Sequence, residues 1–145
     1  MTLKSTLART TAKSAHWLLH DVLHRGGTSL PGKLAVSIDP DVLKSIQQDF
    51  DLVIVTGTNG KTLTTALITR VLQAGGYEVI TNHSGSNMIQ GITGTLVTSK
   101  IKPSANGKKP VAVLEVDEAN VEKIASAIKP KMFVLTNIFR DQLDR

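Results

Sequence analysis

The feature that most constrains this chain is an apolar run that leads through a glycine-bearing turn into a second apolar stretch with helical spacing. The run is DLVIVT at residues 51–56, the turn is GTNGKT at residues 57–62, and the stretch continues through residues 66–72. A buried strand, a tight loop and a helix in this order predict a phosphate-binding loop. Gly57 and Gly60 allow backbone conformations that a Cβ would forbid. The free N–H groups and the positive dipole end of the helix would then face an anion.

The two residues after Gly60 indicate what the loop would hold. Lys61 is expected to reach the terminal phosphates of a nucleotide, and the Thr62 hydroxyl to bind a Mg²⁺ ion that bridges them. The motif is the short form of the loop, because Val55 stands where the common form has a further glycine. An isolated Gly-Lys-Thr often begins a helix by chance. Here it directly follows an apolar strand, so nucleotide binding is the favoured interpretation.

Composition favours one globular domain without a membrane span. The 145 residues are 41% hydrophobic, enough for a single core, and no apolar stretch approaches the roughly 20 residues needed to cross a bilayer. The chain contains no cysteine, which excludes disulfides, thiolate catalysis and cysteine zinc sites within these residues. Aromatic residues make up only 3%, so nucleic acid is a poor candidate ligand despite a net charge of +5.

The first 33 residues are predicted to form an amphipathic helix followed by a loop. Apolar residues recur with helical spacing from about residue 3 to residue 24 and predict one buried face. The positions expected on that face are Leu3, Leu7, Ala15, Leu18 and Val22, with Ala8, Ala12, Leu19 and Leu23 beside them. Two glycines and the pair Pro31-Gly32 predict a loop over residues 25–33.

This amino-terminal segment is also basic and rich in histidine. It carries five lysine and arginine residues and one acid, Asp21. It could therefore face an anionic membrane surface or an acidic partner, but a solvated helix face is the favoured interpretation. His16, His20 and His24 recur every four residues and share one helical stripe. No carboxylate accompanies them in a His-Glu-x-x-His pattern, so a polar face is favoured over a metal site.

The rest of the chain alternates between predicted strands and helices, which is typical of a parallel α/β sheet with helices on both faces. The expected strands are residues 51–56, 77–81, 111–116 and 132–136, and the expected helices are residues 41–48, 118–128 and a helix from the loop to about residue 74. Residues 89–99 could be helical or irregular. We divide the chain into an amino-terminal helical segment with its lead-in loop, 1–50, and a partial ATP-binding domain, 51–145.

Polar groups cluster where three of these strands end. Because ligands of parallel sheets bind beyond the carboxyl ends of the strands, we expect the loop, residues 115–117 and residues 137–141 to meet in one cleft. Glu115 lies inside an apolar strand, where an unpaired charge is costly and a Mg²⁺ ion would compensate for it. Asp117 should point to the same side, or cap the next helix. Asn137 and Asp141 are expected to contact nucleotide or metal-bound water, although Asp141 could equally cap a further helix.

Three motifs in this order resemble those of the Mur ligase family of ATP-dependent enzymes. Residues 56–62 are similar to the family's ATP loop, LEV at residues 114–116 to its magnesium-binding glutamate motif, and residues 136–144 to its third motif. The resemblance implies the family's central ATPase domain, here incomplete, with ATP and Mg²⁺ as cofactors. Gln142 departs from the pattern, because most members carry a metal-binding histidine there, which puts a second metal site in doubt.

A narrower resemblance within the family is to the ligase-like subunits of lipid II isoglutaminyl synthases. It rests on residues 25–33, 82–88 and 137–145, and it accounts for the glutamine at position 142. It implies that ATP phosphorylates the α-carboxylate of D-isoglutamate in lipid II. Ammonia released by a GatD-like glutamine amidotransferase subunit would then convert the acyl phosphate to D-isoglutamine. The implied location is cytoplasmic, at the inner face of the membrane that carries the substrate.

The resemblance also implies roles for individual residues. It assigns ATP contacts to Gly57, Thr58, Asn59, Gly60, Lys61 and Thr62, Mg²⁺ ligation to Thr62 and Glu115, catalytic roles to Lys61 and Glu115, and a phosphate or carboxylate contact to Asn87. The family's zinc ribbon and carboxy-terminal domain are not among these residues. We therefore expect an amino-terminal fragment that binds nucleotide weakly and performs no amidation alone.

Alternative functions remain open at this stage. Within the same class, the chain could belong to an amino-acid-adding Mur ligase or a folylpolyglutamate synthase. A plain phosphate-loop ATPase or kinase is disfavoured by the missing earlier glycine. A non-catalytic nucleotide-binding module that retains a partner is the third possibility.

Overall fold

A computed structural model describes residues 3–22, 24, 28–82, 88–100 and 102–139. Within them, six α-helices and four β-strands follow one another along the chain. The elements are α1 (Leu3–Trp17), α2 (Ser29–Ile38), α3 (Val42–Ile46), β1 (Asp51–Thr56), α4 (Lys61–Ala74), β2 (Val79–Thr81), α5 (Ile89–Thr98), β3 (Val111–Glu115), α6 (Glu118–Ala127) and β4 (Met132–Leu135). A π-helical turn, Leu18–Val22, extends α1, and a 3₁₀ turn, Gln47–Asp49, precedes β1.

The four strands form one parallel sheet in the order β2-β3-β1-β4. In the register of the central pair, Val55 of β1 lies opposite Glu115 of β3. On the other side of β1, Thr56 lies opposite Leu135 of β4. The parallel α/β sheet predicted from the strand and helix pattern is therefore confirmed, and its carboxyl edge brings together the ends of β1, β3 and β4.

Alternate residues of the two central strands build a core on each face of the sheet, as expected for strands buried on both sides. One set packs against α4, and the other faces α1, α2, α3, α5 and α6. The first set is Val53, Val55, Val111 and Val113, and the second is Leu52, Ile54, Ala112 and Leu114. Helices on both faces are thus confirmed as well.

The amino-terminal helix is present, but of the described residues predicted for its apolar face only Ala8 and Ala12 are buried. Leu3 is 90% exposed and Leu7 is 59% exposed, and Leu18 and Val22 of the π-helical turn are also exposed. The buried residues of α1 are the small ones, Ser5, Ala8 and Ala12. Small side chains let α1 lie close to α2, whereas leucines at the contact would separate the two helices. The prediction was wrong for the leucines and Val22, because apolar spacing does not distinguish a close small-residue contact from a leucine-lined one.

The predicted loop at residues 25–33 is helical from Ser29 onward, while residues 25–27 lie outside the described part. Pro31 occupies the first turn of α2, where its missing N–H is not needed. Gly32 is buried against α5, and a Cβ there would collide with the backbone carbonyl of Gln90. Gly94 of α5 meets the carbonyl of Thr28 in the same way. These glycines serve a close helix crossing rather than a turn.

The segment left open at residues 89–99 is the helix α5, and it packs against α2 and α1 on one face of the sheet. The hydrophobic core on that face contains residues from both sides of position 50, for example Ala12 and Ala35 with Leu52 and Leu114. The division of the chain at residue 50 stays a prediction. The two segments share this core.

Two further observations concern membrane spans and metal sites. Among the described residues, no helix is long and apolar enough to cross a membrane. The same part of the chain contains no group of three or more histidine, cysteine or acidic side chains placed to hold a metal ion. His16 and His20 stack with their ring centroids 5.6 Å apart, and His20 Nδ1 lies 3.2 Å from Asp21 Oδ1.

The helix crossing predicts an unusual response to a glycine substitution. Alanine normally stabilises a helix relative to glycine by ~1 kcal/mol, but Gly32→Ala should lower the free energy of unfolding by about 1–3 kcal/mol, because its Cβ has no room beside Gln90. Urea denaturation followed by circular dichroism measures this change. Lys33→Ala, on the exposed side of the same turn, is the matched control and should stay within about 0.5 kcal/mol of the parent. A Gly32→Ala variant more stable than the parent would contradict the close crossing.

Candidate functional site

Both loop glycines have positive φ angles, as the loop requires. Gly57 has φ of +126°, and a Cβ on it would collide with the Thr136 hydroxyl and lie 2.6 Å from the Asn137 carbonyl. Gly60 has φ of +82° and immediately precedes α4, with open space where a Cβ would be. Gly57 is therefore required by contact and conformation together, and Gly60 by conformation alone.

The loop delivers the chain into the amino-terminal end of α4. The first N–H groups of a helix have no carbonyl one turn earlier within the helix to bond, and they carry the positive end of its dipole. Here the Thr64 N–H donates a hydrogen bond to the Gly60 carbonyl at 3.0 Å. The N–H groups of Lys61 and Thr62 come before it in the helix and lie nearest the loop. α4 is 14 residues long, and its amino-terminal end lies at the carboxyl edge of the sheet, where an anion would be stabilised.

The predicted magnesium ligands lie in direct contact. The Thr62 hydroxyl donates a hydrogen bond to Glu115 Oε2 at 2.8 Å, although the two residues are 53 positions apart in sequence. A hydroxyl and a carboxylate are hard oxygen donors, and Mg²⁺ typically takes one or two such protein ligands and completes its shell with phosphate and water. The pair therefore fits a Mg²⁺ ion that is shared with a nucleotide.

The ammonium of Lys61 already has partners within the protein. Its side chain is only 11% exposed, and its ammonium donates to the Gly57 carbonyl at 2.6 Å. The same ammonium lies 3.9 Å from Asp117 Oδ1 and 3.7 Å from Glu118 Oε1. Burial raises the pKa of Asp117, opposed by the charge of Lys61 and reinforced by Glu118 and Glu115. A phosphate would give Lys61 a stronger partner than these two partly exposed acids.

The end of β4 holds the loop by several hydrogen bonds. The N–H groups of Thr58 and Asn59 donate to the backbone carbonyl and the side-chain Oδ1 of Asn137, each at 2.9 Å. The Asn137 amide donates back to the Asn59 carbonyl at 3.1 Å, and the Thr136 hydroxyl donates to the same carbonyl at 2.7 Å. Asn137 was expected to contact nucleotide. In the structure both polar groups of its side chain bond the backbone of the loop, and the nucleotide contact stays a prediction.

The sequence interpretation missed Asn82, which directly follows β2. Its side chain is buried and spans the backbone of Glu115: Oδ1 accepts from the Glu115 N–H at 2.9 Å, and Nδ2 donates to the Glu115 carbonyl at 2.7 Å. A polar residue at the end of a strand of the same sheet was the available signal. The Asn82 side chain thus adds hydrogen bonds to β3 just beyond the end of β2. These bonds hold the backbone that carries the Glu115 carboxylate.

Some predicted site residues cannot be placed. Asn87, Asp141 and Gln142 lie outside the described residues, so the expectations for them stay predictions. The loop itself lies on open surface, and three cavities of about 660, 450 and 310 Å³ in the described part have other linings. The arrangement of Lys61, Thr62 and Glu115 is one wall of a site.

Comparison with known proteins gives a consistent result. Residues 55–145 match the Mur ligase middle domain. The whole chain is 50% identical to the protein named lipid II isoglutaminyl synthase (glutamine-hydrolyzing) subunit MurT of Streptococcus pneumoniae, of which it covers 31%. It is 41% identical over 120 residues to the protein of the same name from Staphylococcus aureus, covering 82% of this chain and 26% of that one.

A more distant relative carries a different name. Over 97 residues, which are 67% of this chain and 18% of the relative, the sequence is 33% identical to UDP-N-acetylmuramoylalanine–D-glutamate ligase of Nitrobacter winogradskyi. The chain thus spans about a third or less of the length of the curated relatives it matches.

The two loop glycines should respond differently to alanine. Gly57→Ala is expected to lower the free energy of unfolding by more than about 2 kcal/mol, because it adds a steric collision with β4 to an unfavourable φ. Gly60→Ala should cost only about 1–2 kcal/mol, for the φ angle alone. Chemical denaturation of the two variants side by side measures the difference. If both variants lose the same free energy of unfolding, Gly57 is not in close contact with residues 136–137.

Proposed function

The chain belongs to the Mur ligase family, and from this premise we propose that its loop binds ATP with Mg²⁺ to activate a carboxylate in peptidoglycan synthesis. The observation that carries the proposal is the hydrogen bond between Thr62 and Glu115. It joins the phosphate loop to the acidic end of β3, and these are the two groups that a nucleotide-bound Mg²⁺ ion needs close together.

The chemistry needs charge neutralisation more than a protein nucleophile. A carboxylate oxygen would form a bond to the γ-phosphorus of ATP while the bond to ADP breaks, and an amine would then form a bond to the acyl carbon while phosphate leaves. Lys61 and the N–H groups at the start of α4 would hold the phosphates and stabilise charge on the transferring group. When bound, Mg²⁺ would supply further neutralisation, with Thr62 and Glu115 as its protein ligands.

In its finer form the proposal concerns amidation of lipid II. We propose that the whole protein activates the α-carboxylate of D-isoglutamate in lipid II and that a GatD-like glutaminase subunit supplies ammonia. The 50% identity to a MurT subunit along the entire chain supports this choice. So does the resemblance of residues 25–33, 82–88 and 137–145 to that group. Action in the cytoplasm, at the membrane that carries the substrate, is part of the same proposal.

The second candidate is an amino-acid-adding ligase. It is supported by the 33% identity to two UDP-N-acetylmuramoylalanine–D-glutamate ligases over 97 and 98 residues. The kind of activation would be the same, but the carboxylate that is activated and the amine that attacks it would both differ. The loop geometry alone does not distinguish the two, so the acceptor has to be tested directly.

A chimera tests the proposed reaction in a protein of full length. Residues 1–145 replace the corresponding region of the Streptococcus pneumoniae relative, which aligns along the whole chain. With the glutaminase subunit, glutamine, ATP and lipid II, the chimera should release ADP and form amidated lipid II. ADP release that needs a free amino acid and ignores glutamine and ammonia would refute amidation and favour the second candidate.

Removing the loop lysine should abolish nucleotide binding by the chain itself. In Lys61→Ala, the phosphates lose their cationic partner, and the ATP-dependent rise in melting temperature should disappear. Lys123→Ala, an exposed lysine of α6, is the matched control and should keep the full shift. Differential scanning fluorimetry with increasing ATP measures both. A persistent shift in Lys61→Ala would place ATP elsewhere.

The contribution of Mg²⁺ should depend on the Thr62 hydroxyl. Thr62→Val removes the hydroxyl at nearly constant volume and should reduce the Mg²⁺-dependent part of ATP affinity by roughly tenfold. Thr62→Ser keeps the hydroxyl and should retain most of that part. Isothermal titration with and without Mg²⁺ separates the two contributions. If Thr62→Val and Thr62→Ser show the same Mg²⁺-dependent ATP affinity, the Thr62 hydroxyl is not a ligand of Mg²⁺.

A further inference from the structure

We propose that Asn137 is a positioning residue that sets the phosphate loop in its binding conformation before any nucleotide arrives, with Thr136 assisting. This inference rests on the proposed nucleotide site. It differs from the sequence expectation, in which Asn137 contacts the nucleotide itself.

The Asn137 side chain makes a two-point contact with a single residue of the loop. Its Oδ1 accepts from the Asn59 N–H at 2.9 Å, and its Nδ2 donates to the Asn59 carbonyl at 3.1 Å. Such a pair reproduces the exchange of two hydrogen bonds between neighbouring strand residues. Both backbone groups of Asn59 are thereby oriented by one rigid amide.

Thr136 strengthens the hold on the same carbonyl. Its hydroxyl lies 2.7 Å from the Asn59 carbonyl and 3.2 Å from the Thr56 carbonyl, and it has one proton to donate. The shorter contact makes the Asn59 carbonyl its main acceptor. That carbonyl therefore accepts from two donors, which uses both of its lone pairs and turns it firmly toward β4.

The orientation of this carbonyl determines where the next N–H points. A peptide group is planar and trans, so the carbonyl of Asn59 and the N–H of Gly60 point in opposite directions. With the carbonyl turned toward β4, the Gly60 N–H must point away from β4. It lies immediately before α4, so it adds one donor to those at the start of that helix. If the carbonyl turned the other way, it would present an oxygen to the phosphates instead.

Glycine-bearing loops are otherwise costly to order, because glycine loses more conformational freedom than any other residue. A loop that is already held binds its ligand without that loss at the time of binding. Asn137 would therefore act on nucleotide affinity through the loop, without touching the nucleotide. Direct contact would require its amide to give up one or both bonds to Asn59.

The first test measures hydrogen exchange in the parent chain and in three variants, all without nucleotide. Hydrogen exchange of individual backbone amides, followed by NMR, should show the Asn59 N–H exchanging at least about tenfold faster in Asn137→Ala, since its acceptor is removed. The amides of β1 and β3 should exchange as in the parent. In Asn137→Asp the acceptor remains, so the Asn59 N–H stays protected, but the Asn59 carbonyl loses a donor and faces a carboxylate. Thr136→Ser keeps the hydroxyl and should behave as the parent does.

Nucleotide titration of the same variants completes the test. ATP affinity should fall roughly tenfold in both Asn137→Ala and Asn137→Asp, and remain near the parent value in Thr136→Ser. If Asn137→Ala loses ATP affinity while the Asn59 N–H exchanges at the parent rate, Asn137 contacts the nucleotide directly. That result would overturn the inference. Faster exchange with unchanged affinity would overturn it too.

Two other outcomes are also decisive. Should Asn137→Ala fail to fold, Asn137→Asp against Thr136→Ser carries the comparison, because each retains most of the loop's hydrogen bonds. A parent chain that binds no ATP would contradict the proposed function. The exchange rate at Asn59 decides the positioning role independently of that result.

Discussion

The parallel pairing of β1 with β3 is the constraint on which the rest of the site depends. Val55 opposite Glu115 places the carboxylate level with the start of the phosphate loop, and Thr62 on the first turn of α4 then meets it at 2.8 Å. A shift of one residue would turn Glu115 to the other face of the sheet. Two features oppose that shift. One is the alternating hydrophobic cores on the two faces of the sheet. The other is the buried Asn82 side chain, which is hydrogen-bonded to both the N–H and the carbonyl of Glu115.

A second consequence of the parallel sheet is that a third strand ends at the same edge. Residues 136–139 continue from β4 beside the loop, and their hydrogen bonds to Thr58 and Asn59 give the loop a fixed support. The Lys61 ammonium lies at the same edge, beside the carboxylates of Asp117 and Glu118. A nucleotide would meet a surface whose conformation is set by strands and whose lysine already has acidic partners.

Much of this could be predicted because the informative residues act locally. The loop from Gly57 to Thr62 and the strand ending at Glu115 each carry their own pattern, and the parallel topology places them together. The amino-terminal region was harder. The helical positions of Leu3 and Leu7 were correct in period but wrong in face, and Gly32 was read as a turn residue. Both errors have one cause: a close crossing of helices selects small residues, and which helices cross is tertiary information that local sequence does not contain.

The contact between Asn137 and Asn59 was unpredictable for a related reason, because an asparagine after a strand can bond a ligand or a loop equally well.

The central claim, that Mg²⁺ and ATP bind at the carboxyl edge of β1, β3 and β4, is tested most directly by NMR of the isotope-labelled chain with Mn²⁺ and ATP. Paramagnetic broadening should be strongest for the backbone signals of Lys61, Thr62 and Glu115 and weak for residues 38–48, which include α3. Broadening centred on residues 38–48, or spread evenly over the chain, would contradict it.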